Sequence, residues 1–147
     1  MRTFSPKVKD VKRLWHVLDA SEVPLGRLAT VAASLLIGKH KPTIAAHIDG
    51  GDFVIVVNAK ELIVTGAKAK QKTYYRHSGF PGGLYERKLE NQMALDPTKI
   101  IRSAIRGMLP VNKLRDGRLK RLKIYSEGDH QHAAQNPTIY SLKKGSK

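Results

Sequence analysis

The spacing of apolar residues changes period several times along the chain, and each change marks an element. Ile101, Ala104, Ile105 and Met108 fall at i, i+3, i+4 and i+7, the spacing that gathers side chains on one side of a helix. Asp96 stands where a carboxylate caps free backbone N–H groups, and Pro97 takes the first helical position with its φ already set. Gly107 and Pro110 bracket the end. Lys99, Arg102 and Arg106 fall on the opposite side, so this helix is predicted to dock its stripe, Met108 included, on a core and to hold cations outward. A second helix opens at Pro24 and Leu25, buries Leu25, Leu28, Ala32, Leu35 and Leu36, and stops at Gly38, with Pro42 forbidding continuation.

Strands follow from the remaining apolar runs. Residues 14–18 alternate and lead into a turn at Asp19, Ala20 and Ser21, while residues 53–57 are apolar without a break, as in a strand covered on both faces. Strand, helix and strand make a βαβ unit. Residues 62–64 read as another short strand after a turn at Asn58 and Ala59, and residues 84–95 read as a weakly helical connector. No internal repeat or linker interrupts the chain. Its 147 residues fit one domain: a basic arm over residues 1–13, an α/β core over 14–137 and a tail over 138–147.

Charge changes the picture. Lys and Arg number 27 against 12 acids, a net +15, which requires an anionic partner. Residues 100–125 hold eight basic residues (Arg102, Arg106, Lys113, Arg115, Arg118, Lys120, Arg121 and Lys123) against the single Asp116, which with Gly117 reads as a flexible break. A solvated face would explain a basic helix alone. Here the charge runs several turns past the helix and agrees in sign with the whole protein, so a bound polyanion explains it better. Lys39, His40 and Lys41 follow the second helix directly, where the dipole alone favours cations.

The other informative stretch is residues 66–83. Lys68, Lys70 and Lys72 precede Tyr74, Tyr75, Arg76 and His77, and the segment closes on Ser78, Gly79, Phe80, Pro81, Gly82 and Gly83. Lysines neutralise phosphate, aromatic rings and Arg planes stack on unpaired bases, and glycines let backbone approach a sugar closely. Strand alternation requires one of Tyr74 and Tyr75 to face the core.

Catalytic and metal chemistry are poorly supported. The chain has no cysteine, so thiolate sites and disulfides are excluded. His130 and His132 lack a third ligand at fixed spacing. Gly38-Lys39-His40-Lys41 lacks the leading glycine and the Ser/Thr of a phosphate loop. Asp49-Gly50-Gly51-Asp52 reads as turn chemistry before a strand. No export signal or bilayer-spanning run is evident, which predicts a soluble, unexported protein without a cofactor.

Taken together, Leu25-Gly26-Arg27-Leu28-Ala29-Thr30, Gly38-Lys39-His40-Lys41, Gly51-Asp52 before Val54-Ile55-Val56, Tyr74-Tyr75 through His77-Ser78-Gly79 to Gly82-Gly83, Gly107-Met108-Leu109-Pro110, Leu122-Lys123-Ile124-Tyr125, and His130 with His132, Ala134, Gln135 and Pro137 resemble the large-subunit ribosomal protein L-thirteen family of bacterial or organellar type. The resemblance implies an α/β domain with a small, mainly parallel sheet of about four strands flanked by helices. It implies a structural part in the large ribosomal subunit, in the cytoplasm or an organelle. The partners would be large-subunit ribosomal RNA and neighbouring ribosomal proteins, with no membrane, small-molecule substrate or catalysis. The RNA-binding segments would be residues 68–83 and 102–123, with Lys39, His40, Lys41, His130, His132 and Gln135. The chain departs from the family pattern at Val111 and across Leu114-Arg115-Asp116-Gly117-Arg118. Two rivals remain: a regulatory messenger-RNA binder, and a metal-dependent enzyme on nucleic acid that uses His77, His130 and His132.

Overall fold

The computed structural model describes residues 5–142; the first four residues and the Lys143-Lys144 end of the tail lie outside the described residues. Strands β1 (Trp15–Asp19), β2 (Phe53–Val57), β5 (Leu122–Ile124) and β6 (Thr138–Ile139) form one parallel sheet in the order β5-β2-β1-β6. The expected strand–helix–strand unit is β1, α1 (Leu25–Ile37) and β2, with Trp15 in register with Phe53 and Val17 with Ile55. β6 pairs with β1 beyond the boundary where the sequence reading ended the core.

One face of the sheet carries the main core. Leu18, Val54, Val56 and Leu122 alternate onto it and pack with Leu28, Ala32 and Leu36 of α1 and Ile100, Ile101 and Ile105 of α4 (Pro97–Met108). The cap of α4 is as expected: the Asp96 carboxylate accepts from the Thr98 N–H at 3.0 Å and from the Thr98 hydroxyl at 2.6 Å. Gly38 ends α1 in the left-handed region at φ 86°. On the sheet's other face the rings of Trp15 and Phe53 stack at 4.2 Å, and His132 packs on Trp15 at 4.9 Å.

Four expectations change. Met108 is 43% exposed, and Ile100 takes the buried place instead, because the stripe of α4 is centred about one residue earlier in phase. Residues 62–64 form no ladder; Ile63 makes only a bridge to Pro24, its carbonyl accepting from the Leu25 N–H at 3.0 Å. Asp116 and Gly117 are not a flexible break but lie within α5 (Arg115–Lys120). Residues 84–95 are not one helix. They begin as β4 (Leu84–Lys88), which pairs antiparallel with β3 (Thr73–His77), and only then coil as α3 (Leu89–Leu95). Local periodicity missed β4 because a hairpin strand exposed along its length carries no alternating burial to read. A four-residue α2 (Lys68–Gln71) leads into β3.

Ile105 is fully buried, so Ile105→Ala should cost about 2 to 5 kcal/mol in chemical denaturation, through lost burial and a cavity. Gly51 is constrained more tightly, since a Cβ there would lie 1.8 Å from the Leu36 carbonyl oxygen. Gly51→Ala should therefore cost about 3 kcal/mol or more, at or beyond the upper end for overpacking. The same denaturation series measures it.

Candidate nucleic-acid interface

The loop joining α1 to β2 carries two aspartates that collect several of the chain's cations. Asp52 is wholly buried. Its Oδ1 accepts from the Leu14 N–H at 2.9 Å and from the Lys41 ammonium, and its Oδ2 faces Nε2 of His40 at 2.9 Å and of His16 at 3.2 Å. An ionised carboxylate only accepts, so both imidazoles present N–H to it. Lys41 spends its remaining donors on the carbonyls of Lys12 at 2.7 Å and Gly50 at 3.0 Å. Asp49 is held by the two-pronged fork of Arg121, whose Nη2 lies 2.7 Å from Oδ1 while Nη1 meets Oδ2. Arg118 Nε lies 3.4 Å from the same carboxylate, and Arg13 donates to the Asp49 carbonyl at 3.0 Å. Arg121 also reaches the Leu36 carbonyl at the end of α1, at 3.1 Å.

These contacts divide the predicted interface. Arg118 and Arg121, expected to face RNA, are 3% and 8% exposed and turn inward to Asp49. Lys41 is likewise committed to Asp52 and two carbonyls, and His40 keeps an exposed edge while bound to Asp52. Arg115 is half-buried.

The other cations point out. Arg102, Lys120 and the half-buried Lys123 come together around an open groove of about 720 Å³ beside β5, with Tyr125 and the Asp116 carboxylate in its wall. Arg106 is exposed one turn along α4, and Lys39 and Lys113 are also exposed. On the hairpin side Lys68, Lys70 and Arg76 are exposed, and the Lys72 ammonium sits 5.5 Å from the centre of the Tyr74 ring. Tyr74 is the core-facing member of its pair; Tyr75 is exposed. Gly79 and Gly82 sit at φ 92° and 72°, where other residues strain, and Gly83 is packed against Ser78. His77 accepts the Gly79 N–H at 2.9 Å, so its first task is to turn the loop.

His130 and His132 fold back on the sheet. The His130 ring accepts the His132 N–H at 3.3 Å, and both rings pack near Tyr125. Gln135 is exposed in a single turn of 3₁₀ helix. Among the described residues the group of three converging metal-type ligands is His16, His40 and Asp52, not His77, His130 and His132. There the carboxylate is already met by four donors, two on each oxygen, which is how a buried acid is satisfied without an ion. Sequence reasoning missed His16, Asp49 and Asp52. The available signal was two scarce acids spaced by glycines in a basic chain.

A family model described as Ribosomal protein L13 matches residues 13–131. The chain belongs to the ribosomal protein L13 family. It is 51% identical over 144 residues to the large ribosomal subunit protein uL13 of Salinispora arenicola, covering 98% of each chain. It is 52% identical over 144 residues to that of Thermobifida fusca, covering 98% of this chain and 97% of the relative. It is 50% identical over 143 residues to that of Nitratidesulfovibrio vulgaris, covering 97% and 99%. The family is one of structural ribosomal components, not of enzymes. No helix among the described residues is long and apolar enough to cross a membrane.

The two aspartates give stability a pH signature. Burial by itself pushes both carboxyls up. Opposing it, hydrogen bonds from Lys41, the Leu14 N–H and His16, with the attraction of Lys41, hold Asp52 below its ordinary 3.8; the Arg121 hydrogen bond and the Arg121, Arg118 and Arg13 charges do the same for Asp49. A depressed folded-state pKa means that the unfolded chain takes up protons first on acidification. The contribution is thus complete above the unfolded value of about 3.9 and lost as pH falls through the lower folded values. Urea unfolding at a series of pH values should show stability falling steeply below about pH 4. Asp49→Asn and Asp52→Asn should each be less stable at neutral pH and show a flatter acid limb.

Proposed function

We propose that the chain is a structural constituent of the large ribosomal subunit that binds ribosomal RNA and supports assembly of the particle in the cytoplasm beside neighbouring ribosomal proteins. The observation that carries this reading is the convergence of Arg102, Lys120 and Lys123 on one open groove, in a chain of net +15 whose relatives are named large ribosomal subunit proteins. Phosphate neutralisation supplies most of the affinity, and the cations that meet RNA are the outward ones: Lys39, Arg102, Arg106, Lys113, Lys120 and Lys123, with Lys68, Lys70, Lys72 and Arg76 on the hairpin side. Arg118, Arg121 and Lys41 act one step back, fixing the loop and helix ends from which those residues project.

Two measurements test it. In sedimentation, the protein should remain with large subunits through a high-salt wash; recovery only in free fractions would favour a messenger-RNA regulator. In binding to protein-free large-subunit RNA, log K should fall with log salt at about 0.7 to 0.9 per phosphate met. Replacing Arg102 and Arg106 together by Ala should leave the melting temperature nearly unchanged, since solvated charges contribute about 0 to 1 kcal/mol. The same pair should weaken binding and lower the salt slope by up to about two phosphate equivalents. Arg121→Ala should do the reverse, costing about 3 to 5 kcal/mol of stability through a stranded acid while leaving the slope of the folded protein alone.

A further inference from the structure

The cleft between the β3–β4 hairpin and helices α3 and α4 has a composition that phosphate neutralisation does not explain. In the hairpin register Tyr74 lies opposite Arg87, and Arg76 opposite Tyr85. Directly opposed residues share a face, so on this face two rings and two guanidinium groups occupy alternate corners. Tyr75 and Glu86, opposed to each other, take the other face. The first face is held toward α3 by Arg87, whose Nη1 donates to Gln92 Oε1 at 3.2 Å, while Gln92 in turn donates to the Asp96 carbonyl at 3.1 Å. Between hairpin and helices lies a cleft of about 570 Å³ that Lys99 of α4 also lines, and the Tyr75 ring and the Glu86 carboxylate reach its rim, leaving Arg76, Arg87 and Lys99 in excess over the one acid.

Each wall suits a different part of one small ligand. Tyr85 is 64% exposed, a flat apolar surface that nothing in the fold covers among the described residues. The Tyr74 hydroxyl is buried without a protein partner among the described residues and is sealed from the cleft, so Tyr74 contributes the edge of its ring to the wall and not a donor. Lys99 is tied only by a long, exposed pairing of 3.4 Å to Asp96, which a phosphate displaces at little cost. The volume falls within the range that encloses small organic ligands of nucleotide size.

We infer that this cleft takes one unpaired nucleotide of the bound RNA, turned out of its helix, with the base stacked on Tyr85 and the phosphate on Lys99 and Arg87. The inference rests on the RNA-binding reading above and adds a site to it. A duplex presents its phosphates on a convex surface and its bases stacked inside, so it leaves the exposed Tyr85 ring unused. An acidic peptide would satisfy the cations but has no planar group for Tyr85.

The test uses fluorescence anisotropy of the full chain with labelled octauridylate and with an RNA duplex of equal charge, beside protein-free large-subunit RNA. Tyr85→Ala should weaken octauridylate binding by about 5- to 100-fold, the range of one base–aromatic stack, and leave duplex binding at the wild-type level. Tyr85→Phe should bind both like wild type, and Lys99→Ala should lower the octauridylate salt slope by about one phosphate. Both positions are exposed, and thermal melts confirm that the variants are folded. Equal losses on both RNAs, no loss on either, or competition by oligoglutamate as strong as by octauridylate would overturn the site. If wild-type protein shows no salt-dependent binding to large-subunit RNA, the RNA-binding reading itself fails. If it binds that RNA steeply and Tyr85→Ala is silent on octauridylate, only the nucleotide cleft fails.

Discussion

The fold depends on a pair of carboxylates set in a positively charged chain. Asp49 and Asp52 stand two glycines apart between α1 and β2, and they bind groups from five separate places in the sequence: Arg13 and Leu14, His16, His40 and Lys41, Arg118, and Arg121. Through these contacts the start of β1, the end of α1, the start of β2 and the end of α5 are tied at one end of the sheet. The tie is geometric as well as electrostatic. Gly51 lets backbone pass against the Leu36 carbonyl, the same oxygen that Arg121 reaches, so the close approach and the ion pair need each other.

A loop of this kind also sorts the cations. With 27 basic residues against 12 acids, unpaired charge is unavoidable, and self-repulsion would resist folding if it were spread through the interior. Two acids pull Arg118, Arg121, Lys41 and the two imidazoles inward, where each finds a carboxylate or carbonyl. Many of the others are left exposed, on α4, on the outer side of α5, on the hairpin and on the connecting loops, where solvent screens them.

Much of the fold was legible in the chain because its main elements are governed locally. The Asp96 cap, the α4 stripe, the α1 stripe with its glycine stop, and the unbroken apolar run of β2 each follow from periodicity and backbone chemistry. What was not legible depends on pairing. β4 exists because β3 lies beside it, β6 because β1 offers an open edge, and neither leaves a pattern in its own residues. The same holds for the site. Outward cations such as Arg102 were identified from helical phase, but Arg121 sits in the same run of basic residues as Lys120 and Lys123, and its neighbours give no sign that its partner lies in a loop far back in the sequence. Ion pairs between distant segments are invisible to spacing.

The inward pairs also bear on how such a protein can meet RNA without losing its shape. A phosphate that competed for Arg121 would have to break a two-pronged bond to Asp49 and leave a carboxylate stranded at the end of the sheet. That cost far exceeds what one solvated phosphate contact returns, so the internal arginines stay internal when the surface is crowded with anions. The outward lysines and arginines would face no such competition, and their flexible stems could adjust to the phosphates of the proposed RNA partner. A rigid frame of satisfied charge beneath a mobile layer of unsatisfied charge separates the two demands on the same residue types. Position relative to Asp49 and Asp52, more than the identity of a basic residue, decides which of the two it serves.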